Sequence, residues 1–131
     1  MNKLTAKQLI MLNRKIVNDE ARFTINEEAK IKEIAELPYE KDEEFFYKYK
    51  TTIEKSAKLG CLIATSEPFH KGNEETAMLA MITLLELNGY KIPDFELYLD
   101  ELSEQLKSND YEAVCSWIRT HASNQTKEFN I

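Results

Sequence analysis

The chain reads as an all-α domain, a bundle of about six helices with an irregular loop between two core helices. Three observations predict this class. Only 3 Gly and 3 Pro punctuate 131 residues, whereas an all-β domain uses far more of both in its tight turns. Apolar residues recur three and four apart along most of the chain, the spacing of a helix face. Cap-type residues such as Thr5, Asn26, Asn73 and Asp110 stand just ahead of those periodic stretches.

Taken in order, Thr5 with Gln8 forms a capping-box signature, and Leu9, Leu12 and Ile16 place a first helix from about Ala6 to Asn18. Asp19 to Ile25 reads as a connection, and Asn26 caps a shorter helix with Ala29, Ile34 and Leu37 on its apolar face, ended by Pro38. A longer helix is expected from near Asp42, because Phe46, Tyr49, Ile53, Ala57, Cys61 and Ala64 form a core-facing stripe. On that reading Asp42, Glu43 and Glu44 are its solvated start, and Phe45, Phe46, Tyr47 and Tyr49 are its core and rim. Pro68 and Gly72 break the pattern between Ser66 and Gly72. Asn73 then opens a helix through Ala77, Met81, Leu84 and Leu85, stopped at Asn88-Gly89. Pro93-Asp94 opens a further helix on Leu97, Leu99, Leu102 and Leu106. Asp110 caps a last one through Val114, Trp117 and Ile118, where Trp117 is core with its indole N–H on a carbonyl. The polar end from about Ala122 is expected to fray. No repeat, low-complexity stretch or shift in composition divides residues 1–131, so a single domain is expected.

Hydrophobic residues at 43% and charged residues at 31% suit a packed, soluble chain. The net charge of -6 repels phosphate backbones and acidic lipid surfaces, so neither nucleic acid nor membrane is expected as a partner. Cys61 and Cys115 lie in apolar runs without a CxxC partner or a histidine at ligand spacing, and no secretory pattern precedes the first helix. Buried free thiols, no zinc site and a cytoplasmic location are the expectations.

One stretch carries specific local chemistry, Glu67-Pro68-Phe69-His70-Lys71-Gly72-Asn73-Glu74-Glu75-Thr76-Ala77. Gly72 permits a close backbone approach, and the amides after Asn73 lie at the positive end of a helix dipole, a potential anion seat. The plainer reading is an Asn-capped helix after a Pro-Gly loop. Glu67, His70, Glu74 and Glu75 also offer oxygen and nitrogen atoms to a cation. The dipole alone accounts for acidic residues in a first turn, and no metal site is assigned.

This stretch resembles the motif of the Fic and death-on-curing (Doc) toxins, His-Pro-Phe-x-(Asp or Glu)-Gly-Asn-(Lys or Gly)-Arg, followed by Thr-Ala and an apolar helix ending in Leu-x-x-Asn-Gly. Here that end is Leu85-Glu86-Leu87-Asn88-Gly89. The resemblance implies a compact Fic/Doc-type bundle. In active members an AMP or phosphoryl group passes from ATP to a target hydroxyl, with magnesium, and Doc-type toxins are neutralised by an antitoxin segment. It also implies roles for four positions that this chain fills differently. Glu67 stands where a His acts as general base, and Lys71 where an acidic residue holds magnesium. Glu74 and Glu75 stand where cations grip phosphates. Pro68, Phe69, Gly72, Asn73, Thr76 and Ala77 match the residues that shape the turn.

The expected function is therefore a degenerate Doc-like protein of toxin–antitoxin type, catalytically weak or inactive, acting on a protein partner such as an antitoxin-like segment or a translation-related target. ATP and magnesium enter only if activity is retained. Two alternatives are an active transferase with Glu67 as base, His70 being a weaker substitute, and a plain helical interaction module.

Overall fold

The computed structural model describes residues 2–18 and 25–124. Those residues form six α-helices, α1 (Ala6–Val17), α2 (Ile25–Glu36), α3 (Thr52–Ser66), α4 (Asn73–Leu87), α5 (Leu99–Lys107) and α6 (Tyr111–His121). A two-stranded antiparallel ribbon joins β1 (Tyr90–Lys91) to β2 (Ser123–Asn124).

The α1 start follows from the predicted capping box. Thr5 Oγ1 accepts from the Gln8 amide at 3.2 Å while the Gln8 side chain accepts from the Thr5 amide at 2.8 Å, so two otherwise orphaned donors are satisfied. The predicted 19–25 connection lies outside the described residues apart from Ile25, which already belongs to α2, one position ahead of Asn26. The inner face of α2 is Ile31, Ile34 and Ala35, whereas Ala29 is exposed and Leu37 half-buried. Spacing from Ile31 sets this face, because residues three and four apart share one side of a helix. Pro38 enters a 3-10 turn at Leu37–Tyr39 rather than merely stopping the helix.

The expected helix start near Asp42 is not found. Asp42 Oδ1 instead accepts from the amides of Glu44 (2.8 Å) and Phe46 (3.1 Å), and Lys41 bridges Tyr47. The short carboxylate thus offers the backbone a turn in place of a helix. Phe45 sits at φ 66 and is 81% exposed, Phe46 is 62% exposed, and Tyr47 is exposed as well, so these aromatics are loop surface and not core. The helix begins where Thr51 Oγ1 accepts from the Glu54 amide at 3.0 Å.

The core centres on α3 against α4. Ala57, Ile63, Ala77, Ala80, Met81, Leu84 and Leu85 are fully buried, and α4, apolar nearly all round, is the central helix. α1 runs antiparallel to it. Asn2 and Asn88 exchange two hydrogen bonds of 2.9 Å and the Asn2 carboxamide donates to the Leu87 carbonyl at 2.8 Å, while Asn13 reaches the opposite end of α4. Gly89, at φ 90, supplies the expected left-handed stop. Beyond Pro93 a 3-10 turn, Phe95–Tyr98, precedes α5, and Leu97 is 77% exposed while Leu102 and Leu106 are buried. Asp110 Oδ1 caps α6 through the Ala113 amide at 3.2 Å.

Trp117 is buried as expected, yet its indole N–H has no hydrogen-bond partner, and its ring stacks on His121 at 4.5 Å. Ser123 and Asn124 do not fray, since they pair with Lys91 and Tyr90, and the rest of the tail lies outside the described residues. Cys61 and Cys115 are buried free thiols, the first pushed up to about 11 by burial. No helix among the described residues is long and apolar enough to cross a membrane.

Candidate functional site

The predicted loop does connect the two central helices. α3 ends on Glu67, which adopts the left-handed conformation (φ 47, ψ 59) and donates its amide to the Ile63 carbonyl at 3.1 Å. Pro68 and Phe69 then turn into the core and are buried.

Asn73 does not cap α4 in the expected manner. Its carboxamide pairs with the backbone of Phe69, accepting from that residue's N–H and donating to its carbonyl, both at 3.0 Å. The pair closes residues 69–73 into a ring. The first turn of α4 consequently receives no side-chain cap, so its leading amides keep unused donor capacity within the helix.

Gly72 is required twice over. Its φ is +74, and a Cβ there would lie 2.7 Å from Val17 Cγ1 and 3.4 Å from Asn13 Nδ2, so only a residue without a side chain lets the loop meet α1. Asn13, buried on α1, donates to the Lys71 carbonyl at 2.9 Å and to Thr76 Oγ1 at 3.0 Å, and the Lys30 ammonium donates to the Ser66 carbonyl. α1 and α2 therefore hold the loop from below.

The charged side chains diverge from that frame. His70 faces Glu27 of α2 at 3.6 Å. Glu74 turns to α5, where Lys107 Nζ lies 2.8 Å from Oε1 and Ser103 Oγ donates to Oε2 at 2.7 Å. Hydrogen bonds from Lys107 and then Ser103 hold the Glu74 carboxyl below its ordinary range, and the same pairing holds the Lys107 ammonium above its own. Glu67 and Glu75 are exposed.

A family model described as the Fic/DOC family matches residues 3–85, from the start of α1 through most of α4, motif loop included. The chain belongs to the Fic/DOC family. No curated protein and no solved structure matches it significantly. The Fic/DOC match covers the helices that build the loop, and α5, which supplies Ser103 and Lys107, lies beyond it.

The residues of this turn do not suit magnesium. A lysine, Lys71, precedes Gly72, the ammonium of Lys107 is against Glu74, and no group of three His, Cys, Asp or Glu gathers among the described residues. Sequence reasoning missed Asn13, Glu27, Lys30, Ser103 and Lys107. Asn13 alone carried a signal, as a polar residue among Leu9, Leu12 and Ile16; the others meet the loop only through tertiary packing.

Proposed function

We propose that this Fic/DOC chain is a Doc-like protein of toxin–antitoxin type that no longer transfers a nucleotide-derived group and acts by binding a protein partner. The observation that carries this reading is the Glu74–Lys107–Ser103 cluster at the start of α4. Where the family places a phosphate-gripping cation, this chain has a carboxylate committed to α5, with Glu75 beside it. Lys107 offsets the Glu74 charge, so the cluster leaves this position without a cation to grip a phosphate, and Glu75 adds a solvent-screened negative charge beside it.

A surface suited to a protein segment lies along α1. A groove of about 1030 Å³ between α1 and α4 includes the exposed Met11 and Leu87, with Arg14 and Lys15 at its rim, and residues 6–17 contain no acidic side chain. An acidic amphipathic segment, antitoxin-like in character, matches that chemistry.

The test is calorimetric titration with ATP and magnesium. No saturable heat is expected, and micromolar, magnesium-dependent binding would refute the reading. In the rival transferase reading, labelled nucleotide would modify lysate proteins with the parent chain but not with Glu67→Gln.

A further inference from the structure

We propose that a pocket at the N-terminal end of α3, lined by Lys3, Tyr39, Tyr47, Lys50, Thr52 and Lys55, binds a phosphate dianion, either free or as the monoester of a small organic body. α3 has 15 residues, so this pocket is about 22 Å along the helix from the motif loop at the other end. It belongs neither to the Fic/DOC motif nor to the α1–α4 groove.

Four observations converge on the ligand class. First, three of the six lining residues are lysines and none is a carboxylate, a local reversal of sign in a chain of net charge -6. Of the neighbouring acids, Glu40 pairs with Lys48 at 3.1 Å, Glu54 accepts from the Thr51 hydroxyl at 3.1 Å and Glu36 acts on Tyr39 through its charge, and none of the three lines the pocket.

Second, Lys55 is only 3% exposed although it is a lysine. Its ammonium donates to the carbonyls of Tyr49 and Lys50 and lies 4.4 Å from the Tyr47 ring centre. Those two carbonyls use two of its three donors. With the Tyr47 ring beside its remaining N–H, this buried ammonium is a fixed positive charge in the pocket wall that acts on an anion through its field.

Third, Thr52 and Lys55 belong to the first turn of α3, whose dipole adds partial positive charge there. Fourth, the volume is about 300 Å³, at the lower end for small-molecule sites. The Tyr39 and Tyr47 rings seat the Lys3 and Lys55 ammonium groups at the pocket. Lys3 lies 4.3 Å over the Tyr39 ring.

Amide correlation spectra of the full chain, titrated in parallel with inorganic phosphate, glycerol phosphate and chloride at matched ionic strength, test the proposal. Saturable shifts at Tyr39, Tyr47, Thr52 and Lys55 are expected with a phosphate ligand and not with chloride. Tighter binding of glycerol phosphate would assign a monoester, and equal or weaker binding the free anion. Lys3 and Lys50 are exposed, so Lys3→Ala/Lys50→Ala should keep the native spectrum elsewhere and weaken binding at least about tenfold. Absence of saturable shifts with both phosphate ligands, or unchanged affinity in that variant, would overturn the proposal.

Discussion

Replacing Gly72 with alanine tests whether the motif loop is shaped by its contact with α1. Two costs are separable. A side chain at φ +74 costs about 1–2 kcal/mol relative to glycine. The new Cβ would also stand 2.7 Å from Val17 Cγ1. A valine in a helix has little rotamer freedom with which to retreat, so overpacking adds about 1–3 kcal/mol. Gly72→Ala should therefore lose about 2–5 kcal/mol in urea unfolding, a large part of the stability of a domain this size. The same substitution in a Val17→Ala background removes the clash and keeps the backbone cost, leaving a loss of about 1–2 kcal/mol. The difference between the two losses isolates the loop–helix contact. A loss under about 0.5 kcal/mol for Gly72→Ala, or identical losses in both backgrounds, would refute the reasoning.

Asn13→Ala should lose about 1–3 kcal/mol, because it removes the donor of the hydrogen bonds to the Lys71 carbonyl and the buried Thr76 hydroxyl; urea unfolding measures the loss, and faster amide exchange confined to residues near 71–76 would locate it. The Glu74–Lys107 pair should contribute stability only where both groups are charged. Glu74 titrates below its unfolded value, so its contribution is present above the ordinary carboxylate range and disappears as pH falls through the lowered folded value. Lys107 titrates above its unfolded value, so its contribution is complete below the ordinary lysine range and disappears as pH rises through the raised folded value. A double-mutant cycle on Glu74→Gln and Lys107→Met should show a small coupling, reduced by salt because Lys107 is solvent-facing. That coupling should be flat between about pH 5 and 10 and vanish on both sides.

What could be read in advance was local. Thr5 with Gln8, and Asp110 ahead of α6, declare helix starts within one turn of chain, and both caps form as written. The fully buried Ala77, Met81, Leu84 and Leu85 follow from spacing alone. The Asp42 start failed because Phe46, Tyr49 and Ile53 mimic a helical repeat, while the deciding interaction is the Asp42 side chain on its own backbone. The ribbon of Ser123 and Asn124 with Tyr90 and Lys91 escaped notice for a different reason, since two-residue strands have no period and depend on a distant partner. In the loop, the turn at Gly72 was legible and the destination of Asn73 was not. An asparagine before a periodic run reads as a cap, and only the folded chain brings the Phe69 backbone within reach of its carboxamide.

The loop divides into two sets of residues with different physical obligations. Pro68, Phe69, Gly72, Asn73 and Thr76 are buried, ring-closing or pressed against α1, so changing any of them disturbs packing or strands a polar group. Glu67 and Glu75 face solvent, where substitution costs the fold little. Chemistry in such a loop can therefore change sign while its geometry stays fixed. Glu74 goes one step further. Its carboxylate reaches Ser103 and Lys107, tying the motif to α5, a helix outside the region matched to the family. A cation placed at position 74 would meet the Lys107 ammonium at close range and lose the Ser103 hydrogen bond. The Glu74 carboxylate is thus part of how this bundle is assembled.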